Sequence, residues 1–235
     1  LDYIEGVMMD HVVRLIHGQP LYVKPGLDFI TLAYMPGFVT LASLLARVFG
    51  PDFWVPRAVS ITAMLSIAGM IIFVLRRETR SWTLALAGAG IMLGSYGITG
   101  GHFDVGRPDS LMLCLSLAGL TTLRFTTSTR GAVIAALLLT AAFFTKQHAV
   151  WFGIAAIAHL AVNDRRRFVP FTTAIVLGCA GGYLLLSLWL GPWFSFYTWE
   201  IPSRWSQISK VRILNYVGKG LLGSHALVVL PAILS

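Results

Sequence analysis

The 235-residue chain is 56% hydrophobic and only 12% charged, with a formal charge of +8. Its mean hydropathy is +0.75. Soluble domains carry about 25% charged residues, so this composition excludes a soluble enzyme, a disordered tail and a nucleic-acid-binding domain. The positive charge is therefore read first as membrane topology. Cys114 and Cys179 both lie inside apolar runs, which argues against a disulfide framework. A start at Leu1 and a stop at Ser235 within an apolar run fit a piece of a longer membrane protein.

In chain order, the first 28 residues are polar and hold four acids, Asp2, Glu5, Asp10 and Asp28. Asp2 and Glu5 are three apart, so on a helix they share a face. Two readings stand: a carboxylate acting as general base towards a nearby acceptor, or a helix cap completed by Glu5. Residues 29–46 are uncharged but interrupted by Pro36-Gly37. If they crossed the membrane, four acids would lie inside. An interfacial helix is expected instead, making residues 1–57 one outer region.

A bilayer core needs about 20 mostly apolar residues per helix. The runs 58–75, 81–98, 131–145, 147–163 and 168–190 carry no charge. Residues 108–125 make a further span between Asp109 and Arg124, and 220–235 begin another. No strand alternation is present, which excludes a β-barrel. The expected fold class is all-α: a polytopic transmembrane helical bundle forming a single membrane domain, with spans from residue 58 to 235 and an outer N-terminal loop carrying interfacial helices.

The connections set the orientation. Arg76, Arg77 and Arg80, then Arg124 and Arg130, then Arg165, Arg166 and Arg167 place eight of the 18 basic residues in three short turns on one side. Eight of the ten acids fall on the other. The positive-inside rule puts the arginine turns in the cytoplasm and the acids outside.

Chemistry-capable residues gather on the outer side. The segment Gly101-His102-Phe103-Asp104-Val105-Gly106-Arg107-Pro108-Asp109-Ser110 opens a span. Pro108 and Asp109 suit a helix start. Arg107 is a cation at membrane depth where cations are scarce, and that is a functional signal by default. A guanidinium at a helix start suits a phosphate. Lys146, in the turn Lys146-Gln147-His148, either reaches lipid headgroups or neutralises a phosphate oxygen. The loop 191–219, with Trp193, Phe194, Phe196, Tyr197, Trp199 and Trp205 among Arg204, Lys210, Arg212 and Lys219, reads as interfacial. His11, His17, His159 and His225 form no ligand pair with a neighbouring carboxylate. No metal or cofactor is therefore assigned, although Asp2, Glu5, Asp104 and Asp109 could hold a divalent cation if folded together. No nucleotide fingerprint or Ser-His-Asp set is present.

Several short motifs, in order, resemble a known family: Asp2-Tyr3-Ile4-Glu5-Gly6, Gly18-Gln19-Pro20-Leu21-Tyr22, Tyr34-Met35-Pro36-Gly37, Phe49-Gly50, Arg57 and Gly106-Arg107-Pro108-Asp109-Ser110. This pattern is similar to the membrane-embedded GT-C glycosyltransferases, in particular bacterial relatives of the dolichyl-phosphate-mannose protein mannosyltransferases (family 39-like). The motifs cover about residues 1–150, and topology covers the rest. The resemblance implies inverting transfer of a sugar from a polyprenyl-phosphate donor to a glycan, lipid or protein acceptor. It further implies a multi-pass protein of a prokaryotic plasma membrane, bathed by membrane lipids, with its active face outward. The base role falls on Asp2 or Glu5, Asp2 first; the family commonly has adjacent Asp-Glu, whereas here Tyr3 and Ile4 intervene. Arg107 and Lys146 would then meet the donor phosphate, and His102, Asp104 and Asp109 would orient the cations or the sugar. A transporter should instead show inverted repeats and midplane charges, and neither is found. A non-catalytic membrane protein leaves the outer acids unexplained.

Overall fold

The computed structural model describes residues 3–27 and 29–205. Asp2, Asp28, the side chain of Trp205, the basic residues 210, 212 and 219, His225 and the apolar run 220–235 lie outside the described residues. Every regular element among the described residues is helical.

Helix α1 (Tyr3–Ile16) turns Met8, Met9 and Val12 to one side. That face packs on Phe38, Val39, Ala42 and Ala46 of α2 (Gly37–Phe49) and on Val55 and Val59 of α3 (Trp54–Thr79). Only the latter part of the uncharged run 29–46 is helical. The 13 residues of α2 reach about 20 Å at 1.5 Å per residue, short of the roughly 30 Å of a bilayer core. A Cβ on Gly37 would lie 2.6 Å from the backbone oxygen of Phe144. The start of α2 therefore touches the end of α6 (Thr129–Thr145) backbone to backbone.

The segment 18–36 that joins α1 to α2 is pinned by His11. Its Nδ1–H donates to Val7 O (2.6 Å) and its Nε2 accepts from Leu32 N–H (3.0 Å). The ring also lies against Phe29, with centroids 4.9 Å apart. Both nitrogens thus work in the neutral ring, and burial pushes the imidazole pKa down. A group depressed in this way contributes stability above its unfolded pKa and loses it as pH falls. The unfolding midpoint is accordingly expected to drop on acidification from neutral to about pH 5. The drop should shrink in His11→Gln, measured by thermal unfolding in detergent at each pH.

The remaining helices run back and forth: α3, α4 (Trp82–Gly94), α5 (Pro108–Phe125), α6, α7 (Val150–Asn163) and α8 (Arg165–Val176). Helix α8 continues through a π-helical turn at Leu177–Gly181 into α9 (Gly182–Leu190). Among the described residues, two stretches are long and apolar enough alone to cross a membrane, Trp54–Thr79 and the continuous Arg165–Leu190. Helix α4 is shorter than the apolar run 81–98 suggests. Ser95 Oγ turns back to Met92 O (2.6 Å), and Gly100 and Gly101 then take φ of 84° and 69°, a region that costs a residue with a Cβ. The 191–219 segment is also not a loop throughout. Its described part forms α10 (Pro192–Ser195), a π-helical turn and α11 (Ile201–Trp205). Phe194 and Tyr197 are buried there against Leu21, Tyr22 and Met35.

Helices α5 to α8 share a core of Leu123, Ala132, Ala135, Ala136, Leu139, Ala156, Leu160, Phe171 and Ile175. Small residues at helix contacts are how helices associate in lipid, where close van der Waals packing replaces the hydrophobic effect. The helix ends then segregate by charge. At one end Arg124 pairs with Glu78 (2.9 Å), and Arg167 pairs with Asp164 (2.6 Å) while donating to Leu123 O (2.8 Å) and Thr126 O. The Arg167 guanidinium holds the Asp164 carboxyl below its usual range. The starts of α3 and α5 and the ends of α6 and α9 lie at the opposite end, with α1 and α2.

Candidate active site

The segment Gly101–Ser110 begins as an irregular loop because Pro108 can start a helix but cannot continue one from before it. Arg107 precedes α5 with an extended backbone. Its carbonyl accepts from Ser60 Oγ of α3 (3.2 Å). Glu5 secures the residue before it. The Glu5 side chain is 0% exposed and receives a fork from Arg57, Nε to Oε1 at 2.6 Å and Nη2 to Oε2 at 2.7 Å. Gly106 N–H adds a third bond to Oε1 at 2.9 Å. One carboxylate thus ties α1, α3 and the loop bearing Arg107 together. A Cβ on Gly106 would sit 2.9 Å from that of Pro56, so the loop approaches α3 this closely only as glycine.

Charge-assisted bonds of this kind favour the ionised form. The Arg57 guanidinium, helped by Gly106 N–H, holds Glu5 below the ordinary carboxylate range against the opposing effect of burial. A carboxylate so committed is a weak proton acceptor. Removing one partner leaves a buried charge uncompensated, worth 3–5 kcal/mol for fully buried pairs. Arg57 is 42% exposed, so solvent reduces this to about 2 kcal/mol. Arg57→Gln is therefore expected to cost more stability than the double variant Glu5→Gln/Arg57→Gln, as a double-mutant cycle of unfolding midpoints checks.

Asp109, in the first turn of α5, stands between two cations. Lys146 Nζ lies 2.6 Å from Oδ1 and Arg107 Nε 3.5 Å from Oδ2. Both cationic side chains are nearly buried, at 12% and 13% exposed. Arg107 Nη1 also donates to His102 Nε2 (3.4 Å). Lys146 follows α6 directly and lies 5.1 Å from the centre of the Tyr34 ring, a cation–π distance. Gln147 Nε2 donates to Ala33 O (2.9 Å), and Tyr22 OH donates to Tyr34 O (2.8 Å). These two bonds hold the 33–35 strip beside the lysine. Asp104 accepts from Tyr96 OH (2.8 Å).

Of the residues singled out from sequence, Arg107, Asp109, Lys146 and His102 thus form one connected group. Glu5 joins it through the residue next to Arg107. Asp104 is on the same loop but is held towards Tyr96. Asp2 lies outside the described residues. Glu5, Asp104 and Asp109 each have a different partner, and no three His, Cys, Asp or Glu among the described residues converge as a ligand set. Arg57 and Tyr34 were not assigned roles from sequence. The signal that picked out Arg107, a cation where cations are scarce, was equally available for Arg57.

Asp109 thus stands between two nearly buried cations, and guanidinium and ammonium groups are the donors that meet a phosphate oxygen. A family model described as dolichyl-phosphate-mannose-protein mannosyltransferase matches residues 34–193. The chain belongs to this family. It is therefore an integral membrane protein of a glycosyltransferase family, as the motif order suggested. The match to the mannosyltransferase family takes in Tyr34, Arg57, Gly106 to Ser110 and Lys146, and begins after α1. No curated protein and no solved structure matches the chain.

Proposed function

We propose that the chain transfers a sugar from a polyprenyl-phosphate donor to an acceptor hydroxyl of a glycan, lipid or protein, with inversion. The reaction is assigned to the outer face of a prokaryotic plasma membrane. The observation that carries this reading is the Arg107–Asp109–Lys146 group, which lies at the end of the bundle opposite the arginine turns. Charge bias makes the arginine end cytoplasmic, so the phosphate-competent group faces outward.

In this scheme Asp2 takes the proton from the acceptor hydroxyl as its oxygen attacks the anomeric carbon. The bond from that carbon to the phosphate oxygen breaks, and the polyprenyl phosphate leaves with the electron pair. The attack comes from the face opposite the phosphate and inverts the anomer. Arg107 and Lys146 meet the charge that grows on the leaving phosphate, in a setting where such contacts are stronger than in water. Asp109 and His102 hold the two cations in place, and Asp104 orients the sugar. Glu5 acts as a positioning residue through Gly106 rather than as the base, because its oxygens are already engaged.

The test is an assay of the full-length protein in sealed vesicles, with a polyprenyl-phosphate sugar and a hydroxyl acceptor supplied from one side at a time. Transfer is expected only when substrates are on the face that carries Lys146, located independently by labelling a cysteine at Trp199 but not one at Arg166. Transfer from the face that carries Arg166 overturns the orientation.

A further inference from the structure

At the arginine end, α5 and α7 are separated by a groove that has no part in the group described above. Leu120 and Leu123 of α5 face Ala155 and Ala156 of α7 across a cavity of about 220 Å³, with Arg124 and His159 at its edge. We propose that this groove binds an anionic phospholipid, with an acyl segment against the leucine and alanine walls and the headgroup phosphate on Arg124 and His159. The volume is below the 300–1,000 Å³ common for small-molecule sites, but the apolar walls suit a length of hydrocarbon.

The edge supplies the matching polar chemistry. Asn163 Nδ2 donates to His159 Nδ1 (3.3 Å) and to His159 O (2.9 Å). Nδ1 is thereby the acceptor, and the ring proton sits on Nε2 as a donor. Arg124 is 66% exposed and uses Nη2 for Glu78 (2.9 Å), while a guanidinium has further N–H donors. Arg124 lies one residue and His159 four residues from the ends of their helices, near the depth at which headgroups meet acyl chains. Basic pockets between helices at the cytoplasmic side suit anionic headgroups. Glu78 is paired with Arg124 and competes with the phosphate for it, while Asp164 is taken up by Arg167, which also donates to Leu123 O.

Native mass spectrometry of the delipidated full-length protein, titrated with phosphatidylglycerol or phosphatidylcholine, tests this. The wild type is expected to bind phosphatidylglycerol about fivefold more tightly, the ~1 kcal/mol of its one cationic contact, Arg124. Arg124→Gln/His159→Gln should remove the preference, and Ala155→Leu should remove binding by filling the groove from an exposed position. Glu78→Gln should strengthen phosphatidylglycerol binding, a gain that misfolding cannot produce. Equal binding of the two lipids by the wild type overturns the proposal. So does a preference that survives either loss variant, or the absence of a gain in Glu78→Gln.

Discussion

Asp2→Asn in the full-length protein is expected to lower sugar transfer by about a thousandfold while leaving expression and unfolding midpoint unchanged. A positioned general base contributes roughly 10²- to 10⁴-fold, and the amide removes the proton-accepting charge at nearly constant size. Glu5→Gln is expected to behave differently. It weakens the Arg57 fork and the Gly106 bond, so stability falls with activity, and the loss should be smaller than for Asp2→Asn. The comparison is decisive because the two acids lie within four residues of each other. If Asp2→Asn keeps full transfer and Glu5→Gln loses it without loss of stability, the base assignment is reversed.

The second large effect is expected at the phosphate-competent cations. Lys146→Met and Arg107→Gln should each cut transfer by about 10²- to 10³-fold, the range for removing one preorganised donor from developing negative charge. The loss should fall mainly on the chemical step, which single-turnover measurements with saturating donor separate from binding. Asp109→Asn has a different signature. It removes the carboxylate that Lys146 pairs with, so donor binding should tighten even where turnover drops through misplacement of Lys146. Unchanged transfer in both Lys146→Met and Arg107→Gln would remove the phosphate role.

Much of this architecture was legible in the sequence, because lipid imposes strong rules on composition. Uncharged runs had to be helices, and three arginine turns had to lie together. The structure places Arg124 and Arg167 at one end with their acids Glu78 and Asp164. The group of Arg107, Asp109 and Lys146 was also foreshadowed, since charges near membrane depth must find each other or a ligand. Lengths were less legible. The run 81–98 is apolar throughout, but its glycines and Ser95 let the helix stop at Gly94, and apolarity alone does not reveal that. The fate of Glu5 was not legible at all. Its partners, Arg57 and Gly106, are 52 and 101 residues away along the chain, and spacing within one helix says nothing about such pairs.

The bare backbone contact at Gly37 has a mechanical consequence. With no side chain between α2 and the end of α6, there is no compressible layer to absorb relative motion. The Gln147 bond to Ala33 spans the same junction. Any rocking of α2 is passed without slack to the residue that follows α6, which is Lys146. The position of the ammonium is thus tied to that of α2.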